Sequence, residues 1–318
     1  MKFIFVSTTA KHSKDFLNLP PKIIDNQLFE NYLISNKKLF IEFLIKNDES
    51  ETLFFLDCEQ KQNISLYDIA NKLNLKNAKV YPYKPNDLTV DAADILIQKF
   101  FDGCVSGKDI GIYGTGNIAS KIALRLLERN ANVYLFGRNI DKIKILHAYL
   151  KQASFNQNVF INCKDGTLDA FVSFVSGEKV INDNFIKFIK EKSLCLDGGI
   201  GNFSENFIEL AINKNCFVQR VDVRASQEIL IGNINSNLYN SFSEILGTTS
   251  IEGVTLVAGG IIGKYGDIIV DQINSPNTII GFANGIGGLL DESEITKDLL
   301  LRRAKIEKFI SENNKKGN

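Results

Sequence analysis

Three small residues at positions 114, 116 and 119 have the spacing of a phosphate-binding loop. Gly114, Gly116 and Ala119 lie in DIGIYGTGNIA, between an apolar run typical of a strand and a run with helical periodicity. In such loops the first glycine makes a tight turn, the second lets backbone approach a pyrophosphate, and the third small residue lets the helix pack on the sheet. We therefore expect dinucleotide binding. The alternative is a glycine turn that only packs a helix on an ordinary sheet.

The segment after the loop is predicted to be a helix whose amino end faces the phosphates. Apolar residues recur there at helical spacing, namely Ile118, Ala119, Ile122, Ala123, Leu126 and Leu127. The first amides of a helix carry partial positive charge and favour anions. The residues expected to contact the cofactor in this segment are Gly114, Thr115, Gly116, Asn117, Ile118 and Ala119.

The end of the next predicted strand indicates which dinucleotide is bound. The sequence there is NVYLFGRNIDK, with Gly137 and Arg138 where NAD-specific folds place an acidic residue that binds the ribose 2′-hydroxyl. A guanidinium can bind a 2′-phosphate, which a carboxylate would repel. We expect NADP, with Asn139 and Lys142 completing the pocket, although Asp141 is acidic. The alternative is that Arg138 only stacks on the adenine.

The loop opens a region, 107 to about 225, in which apolar runs alternate with segments long enough for helices. The runs are DIGIY (109–113), NVYLF (132–136), NVFIN (158–162), AFVSFV (170–175), SLCLD (193–197) and FVQRVDV (217–223). This alternation predicts a doubly wound parallel sheet with the six strands of a dinucleotide-binding fold. Ser173 and Val175, after the fourth run, should contact the cofactor, and Gly198 and Gly199 should face the nicotinamide.

The remainder of the chain divides around this region. Before it, the runs KFIFV (2–6), LFIEFLI (39–45), TLFFLD (52–57) and AKVYPY (78–83) predict strands of a smaller α/β domain, and VDAADILIQKFFDG (90–103) predicts a connecting helix. We predict a substrate domain at 1–100, a Rossmann domain at 101–225, and a glycine-rich extension at 226–318. The extension should pack between the two domains or form a dimer contact. Its glycine runs, 259–266 and 281–288, could line a pocket or make hairpin turns.

Composition excludes several classes of function. Lys and Arg balance Asp and Glu, 37 to 37, so neither nucleic acid nor an anionic membrane is an expected partner. No segment approaches 18 uninterrupted apolar residues and the start lacks a signal sequence, which predicts a cytoplasmic protein. Five scattered cysteines suit reduced thiols, and only two histidines are present, so no metal centre is expected.

The segment SGKDIGIYGTGNIASKIALRLLERNANVYLFGRNIDKIK (106–144) resembles the cofactor-binding segment of two groups of dehydrogenases. These are the methylene-tetrahydromethanopterin and methylene-tetrahydrofolate dehydrogenases, and the shikimate dehydrogenases. In all of them a substrate domain precedes the nucleotide domain and is joined to it by a helix that begins near an Asp or Thr. LTVDAADIL stands in that place here. The resemblance covers 90–225 well and the last 90 residues hardly at all.

Three further residues are implied by the shikimate dehydrogenase resemblance. VSTTAKHSKDF (6–16) resembles the segment whose serines hold a substrate carboxylate, and only Ser13 matches it. Asp91 stands where that family has its aspartate, and Lys61 precedes it at a similar separation. The resemblance implies a catalytic pair, with Lys61 as the proton donor and Asp91 orienting it. The alternatives are a solvated loop residue for Ser13, a surface lysine for Lys61 and a helix-start residue for Asp91.

These observations predict an NADP-dependent oxidoreductase. It would move hydride between the nicotinamide and a small polar metabolite held in the cleft between domains, where such ligands bind. We expect a homodimer. Two alternatives remain: a redox-neutral enzyme that keeps a tightly bound nicotinamide, and a non-catalytic nucleotide sensor, which would lack a buried ionisable group in the cleft.

Overall fold

The computed structural model describes residues 1–8, 14–24, 27–61, 65–239 and 242–316. It divides the chain into two compact units, Met1–Gly232 and Asn233–Asn318. Within the described helices, none combines the length and the apolarity needed to cross a lipid bilayer.

The first unit begins with a five-stranded sheet. Its strands are β1 (Lys2–Ser7), β2 (Phe16–Ile24), β3 (Gln27–Ile34), β4 (Thr52–Asp57) and β5 (Lys79–Tyr83), and its helices are α1 (Lys37–Lys46) and α2 (Leu66–Leu73). The strand order is β2-β3-β1-β4-β5. β2 and β3 are antiparallel and the other neighbours are parallel. The predicted strands at 2–6, 52–57 and 78–83 are confirmed, and the β2–β3 hairpin was not predicted.

The predicted strand at 39–45 is wrong, because this segment forms helix α1. Asn36 caps the helix, its side chain accepting hydrogen bonds from the amides of Lys38 and Leu39 at 2.9 and 3.2 Å. Phe40 and Leu44, four residues apart, are the side chains that α1 buries. A helix-starting cap and an i, i+4 apolar pair therefore decide the structure of this run over its β-forming composition.

Helix α3 (Pro85–Phe100) leads from the first sheet to the second. Pro85 suits its first turn, where the missing amide hydrogen costs nothing. Its buried apolar residues pack in the same core as the second sheet, and they include Val90, Ala92, Ala93 and Ile97. α3 is thus the predicted connecting helix, but it starts earlier than predicted and is part of the second core.

The second sheet contains six parallel strands. They are β6 (Asp109–Tyr113), β7 (Asn132–Phe136), β8 (Val159–Ile161), β9 (Leu168–Ser173), β10 (Ile189–Asp197) and β11 (Phe217–Arg220), with helices α4 (Asn117–Glu128), α5 (Ile140–Ala153) and α6 (Glu205–Asn213). The order is β11-β10-β9-β6-β7-β8. Read from the other edge this is 3-2-1-4-5-6, the order of the Rossmann fold, with its switch point between β6 and β9. The predicted fold class is confirmed.

The unit Asn233–Asn318 contains a sheet of its own. After α7 (Gln227–Tyr239) and α8 (Phe242–Ile245) come β12 (Gly247–Ile251), β13 (Val254–Ala258), β14 (Ile268–Val270) and β15 (Ile279–Phe282), followed by α9 (Lys297–Lys316). The strands are neighbours in that order. Leu299, Ile306 and Ile310 of α9 are in the core of this unit. The predicted domain boundaries, the packing of this segment between domains and the dimer contact stay predictions.

Candidate functional site: a cleft beside the glycine loop

Gly114 turns the chain from β6 toward α4. Its φ is +136°, a conformation that glycine adopts readily and other residues rarely do. A Cβ there would lie 2.8 Å from the carbonyl oxygen of Phe174. Its amide donates to the carbonyl of Phe136 at 2.9 Å. Ala119 is fully buried, and its Cβ would lie 3.3 Å from a Cβ added at Gly114, so the helix packs closely on the turn. The sequence forms this turn because every other side chain would collide with the neighbouring loop.

Gly116 leaves open space at the amino end of α4. It is the N-cap residue, no side-chain hydrogen bond caps this helix, and a Cβ at Gly116 would meet nothing within 4 Å. The amides of the first turn therefore have space in front of them for an anion. Asn117 is exposed and Ile118 is half-buried, and both line the cleft described below. A pyrophosphate fits this position by chemistry and by space.

The residues after β7 form a polar corner at the other side of the loop. A Cβ at Gly137 would lie 3.8 Å from the side chain of Thr115, so the two loops adjoin. Arg138 is exposed, and its positive charge opposes the effect of burial, which raises the pKa of Tyr113. Asn139 caps α5 by accepting a hydrogen bond from the amide of Lys142 at 3.0 Å. The side chain of Asn139 is therefore occupied by the cap.

The loop after β9 is held in place by hydrogen bonds from the side chain of Asn202. Ser173 is fully buried, and its hydroxyl donates to Oδ1 of Asn202 at 2.8 Å. Nδ2 of Asn202 donates to the carbonyls of Val175 and Gly177 at 2.9 and 2.7 Å. Val175 lines the cleft, whereas Ser173 does not. The Ser173 hydroxyl, predicted to contact the cofactor, is thus buried and already hydrogen-bonded. Val175 lines the cleft, where a cofactor could contact it.

The loop after β10 is fixed by the carboxylate of Asp197. Its oxygens accept hydrogen bonds from the amides of Gly199, Gly201 and Asn202 at 2.9, 2.7 and 3.0 Å. Gly199 approaches the loop after β9 so closely that a Cβ there would lie 2.1 Å from the carbonyl oxygen of Val175. Asp197 and Asn202 therefore tie together the two loops that end β9 and β10.

These elements border one cleft of about 900 Å³ within the first unit. The second-sheet wall is formed by Gly116, Asn117, Ile118, Lys121, Phe174, Val175, Ser176, Glu178, Gly198, Gly199 and Ile200. The first-sheet wall is formed by Thr8, Glu59, Gln60, Lys61, Lys84, Asn86 and Asp87. The glycine loop and Lys61 thus face the same space, at the carboxyl ends of the strands where ligands bind in such folds.

Lys61 is held between two carboxylates at the first-sheet wall. Its ammonium lies 2.9 Å from Asp57 and 3.1 Å from Glu59, and its side chain is 13% exposed. Asp57 is fully buried and also accepts a hydrogen bond from the amide of Thr8 at 3.1 Å. Glu59 accepts one from the amide of Asn86 at 2.9 Å. Both carboxylates are therefore oriented by backbone, and they fix the ammonium in turn.

Asp91 lies elsewhere, so the predicted pairing of Lys61 with Asp91 is not what the structure shows. The carboxylate of Asp91 is bonded to the guanidinium of Arg125 at 2.7 Å, and it does not line the cleft. Asp91 belongs to a series of ion pairs between α3 and α4, which also includes Asp87 with Lys121 and Asp94 with Arg129. The physical reason is that these α3 carboxylates, spaced along one face, meet cations spaced likewise on α4.

Sequence reasoning missed Asp57 and Glu59 as the partners of Lys61. The available signal was that Asp57 ends a buried strand and precedes Lys61 by four residues, at the sheet edge where parallel strands place functional groups. Asp197 and Asn202 were missed as the residues that fix the loops. Ser13, the predicted substrate-binding residue, lies outside the described residues.

A second lysine lies behind the first-sheet wall. The ammonium of Lys22 lies 3.1 Å from the phenol oxygen of Tyr83 and 4.9 Å from the centre of the Phe5 ring. Burial lowers the pKa of Lys22. Burial, together with the carboxylates of Asp57 and Glu59, raises the pKa of Tyr83. A charged lysine is therefore costly at this position.

Known proteins resemble this chain in structure but not detectably in sequence. No family model matches the sequence, and no curated protein matches it. Among solved structures, a shikimate dehydrogenase in complex with NADP⁺ matches with a TM-score of 0.44 and 12% identity over 73% of this chain and 96% of that one. The L-tryptophan dehydrogenase from Nostoc punctiforme matches with a TM-score of 0.42 and 12% identity over 66% of this chain and 61% of that one.

A cinnamyl alcohol dehydrogenase from Sorghum bicolor matches with a TM-score of 0.36 and 14% identity over 47% of this chain, and the match spans only 44% of that enzyme. At these scores the function has to be argued from the site. The fold and the site define an α/β protein in which a five-stranded sheet precedes a six-stranded parallel sheet of Rossmann topology.

Proposed function

We propose that the chain is an NADP-dependent oxidoreductase acting on a small polar metabolite. The observation that carries this proposal is that an uncapped helix amino end with open space at Gly116 and a partly buried lysine, Lys61, border the same cleft. The first feature suits the phosphates of a dinucleotide, and the second suits proton transfer to a substrate.

The cofactor side of the proposal is supported by the strand order and by the space around the glycine loop. When bound, a nicotinamide dinucleotide supplies or accepts a hydride. Gly116, Asn117, Ile118 and Val175 line the cleft and would hold it, with Gly114 and Thr115 forming the turn before them and Ala119 buried beneath. Arg138 is exposed next to Gly137 and can bind a 2′-phosphate, and the exposed Lys142 adds a second cation. Those two cations favour NADP over NAD.

The substrate side is supported by the Lys61 ammonium and the polar groups around it. In the reducing direction, Lys61 donates a proton to the substrate oxygen as carbon gains the hydride, and it recovers a proton from solvent. In the oxidising direction, it accepts that proton. Asp57 orients the ammonium and stabilises its charge, the role first predicted for Asp91. Lys84 and Asn86 line the same wall, together with Glu59 and Asp87, and suit a polar substrate.

The partly buried, ionisable Lys61 also supports an enzyme over a non-catalytic sensor, since a sensor needs no proton donor there. A redox-neutral enzyme with a tightly bound nicotinamide would use the same groups. It would release the dinucleotide on denaturation of the purified protein and would not turn over added NADPH, which distinguishes it from a dehydrogenase.

Binding titrations with the purified chain test the proposal. We expect the fluorescence of NADPH to change when it binds. Gly116→Ala should weaken NADPH binding about tenfold or more, because the added Cβ occupies the space for the phosphates. Gly232→Ala is the matched control, since a Cβ there also meets nothing within 4 Å and lies away from the loop. Absence of NADPH binding by the wild-type chain would refute the proposal. Equal binding by the two glycine variants would show that the loop is not the phosphate site.

The homodimer and the cytoplasmic location stay predictions. Light scattering of the purified chain at micromolar concentration measures the first directly, with twice the chain mass of 35.6 kDa as the expected result. A monomer would contradict it.

A further inference from the structure

Ile200 has a backbone conformation that branched side chains rarely adopt. Its φ is +61°. The other described non-glycine residues with positive φ are asparagines, aspartates, glutamates and lysines, and Ile200 is the β-branched one among them. A β-branched residue in this region is strained, at a cost that persists only where the surroundings impose the conformation.

The surroundings of Ile200 do impose it. Asp197 binds the amides of Gly199 and Gly201 on either side of Ile200, and Gly201 itself has a φ of +78°. Asn202 is fully buried and donates a hydrogen bond to the loop after β9, which fixes the loop on the carboxyl side of Ile200. Four residues around Ile200 thus hold its backbone in place.

Burial does not offset the strain, because the Ile200 side chain is 65% exposed. It lines the cleft, beside Val175 and Gly199. An isoleucine this exposed, on a strained loop at the cleft, gains little from packing in the described structure. Strain of this kind is typical of sites that bind a ligand.

The position of Ile200 indicates which part of a ligand it meets. The Rossmann fold consists of two mononucleotide-binding halves, and β6–β8 with the glycine loop and Arg138 form the half for the adenosine. Ile200 follows β10, in the other half, on the cleft that also contains Lys61. A nicotinamide ring that reaches from the phosphate site toward Lys61 passes along this wall.

We propose that Ile200 binds and orients the nicotinamide ring through apolar contact with one ring face, leaving the other face for the substrate near Lys61. This inference rests on the proposed function. Apolar contact removes water from the ring and restricts its rotation, which brings the reacting carbon and the substrate into a defined geometry.

The test compares NADPH with adenosine 2′,5′-bisphosphate, which lacks the nicotinamide half. In calorimetric titrations Ile200→Gly should weaken NADPH binding about tenfold, whereas binding of the bisphosphate should change by less than about twofold. Ile200→Val should bind NADPH nearly as the wild type does, and Ile200→Asn, which tolerates positive φ, should behave like Ile200→Gly.

Lys192→Gly is the control, because Lys192 also has positive φ, 59°, and does not line the cleft. Its affinities for both ligands should equal those of the wild type. Urea denaturation should give Ile200→Gly a midpoint at or above the wild-type midpoint, which verifies that the variant is folded.

Unchanged NADPH affinity in Ile200→Gly would overturn the inference while leaving the proposed function standing. So would an equal loss for both ligands, which would indicate a general disturbance of the cleft. If the wild-type chain binds neither ligand, both the proposed function and this inference are wrong.

Discussion

The ammonium of Lys61 lies 2.9 Å from the carboxylate of Asp57, a residue with no exposed surface at the end of β4. Asp57 is four residues before Lys61 and its second oxygen accepts the amide of Glu59 at 2.9 Å. The segment therefore forms a short loop that closes on its own lysine. A lysine fixed in this way presents its ammonium to the cleft as a proton donor.

Replacing Lys61 should remove catalysis without removing cofactor binding. We expect Lys61→Met to lower turnover at least about 100-fold, the usual scale for loss of a general acid, and to leave the NADPH dissociation constant unchanged. Lys61→Arg is the informative control, because arginine keeps the charge but does not release a proton near neutral pH. Full turnover in Lys61→Arg would show that Lys61 acts by charge alone. Steady-state rates with the substrate found by screening carbonyl metabolites measure this.

Asp57 and Asp91 should differ in their effect on turnover. Asp57→Asn should lower turnover about tenfold or more, because Lys61 loses the group that orients it. Asp91→Asn should change turnover by less than about threefold, because Asp91 bonds Arg125 outside the cleft. The opposite ranking would restore the pair implied by the resemblance to shikimate dehydrogenases.

Arg138 should determine the preference for the phosphorylated cofactor. Arg138→Ala is expected to weaken NADPH binding by roughly 1.5–3 kcal/mol, the scale of a hydrogen bond to a charged group, and to leave NADH binding unchanged. Lys142→Ala, the neighbouring exposed cation, should show a smaller loss because lysine binds phosphate as a point charge. Equal affinities of the wild type for NADPH and NADH would refute the assignment of NADP.

The ion pairs between α3 and α4 should contribute to stability in proportion to burial. Asp94 has a side chain 6% exposed and bonds Arg129 and Arg125. We expect Asp94→Ala to lower the free energy of unfolding by about 2 kcal/mol, since Arg129 loses its partner and Arg125 keeps only Asp91. Asp298→Ala, which removes an exposed pair with Arg302 on α9, should cost less than about 1 kcal/mol. Urea unfolding curves give both values, and equal losses would contradict the role of burial.

Lys22 should make stability depend on pH. Its pKa in the folded chain is lowered by burial from the ordinary value of 10.5. Between the lowered value and 10.5 the unfolded chain binds more protons than the folded chain, so the free energy of unfolding rises with pH across that window. Below the window the full cost of burying the charge is present.

Lys22→Met should therefore be more stable than the wild type at pH 7, and the difference should shrink as the pH rises toward 10.5. Lys79→Met, on the exposed side of β5, is the control and should shift neither stability nor its pH dependence. Urea midpoints at several pH values test this. A variant less stable than the wild type at pH 7 would show that the ammonium is stabilised by its aromatic and phenol neighbours.

The sequence was informative where local pattern and tertiary role agree. Helices separate β6 from β7, β7 from β8, and β10 from β11, and each of the six predicted runs overlaps an observed strand of the second sheet. By contrast, LFIEFLI at 39–45 has the composition of a strand but forms α1, because the Asn36 cap and the Phe40–Leu44 spacing decide its structure. The β2–β3 hairpin was missed because its prolines and exposed apolar residues obscure the alternation of a strand.

The site was predictable in its backbone and less so in its side chains. The turn at Gly114 and the start of α4 follow from a spacing within six residues, so the sequence predicts both. The partners of Lys61, Asp57 and Glu59, are close to it in sequence, but charged residues this close in a loop need not pair, so the sequence alone did not single them out. Asp91 has a suitable position in the chain, but helix α3 turns it toward Arg125.

The packing of α3 has a consequence for anyone who wishes to study the second sheet alone. Val90, Ala92, Ala93 and Ile97 fill space against that sheet, and the hydroxyl of Ser226 donates to the carbonyl of Leu88 at 3.0 Å. A recombinant fragment starting at residue 101 would begin with an uncovered apolar face and would aggregate on expression. A fragment starting at Pro85 would include the helix that covers this face, so the practical starting point for such a fragment lies before α3.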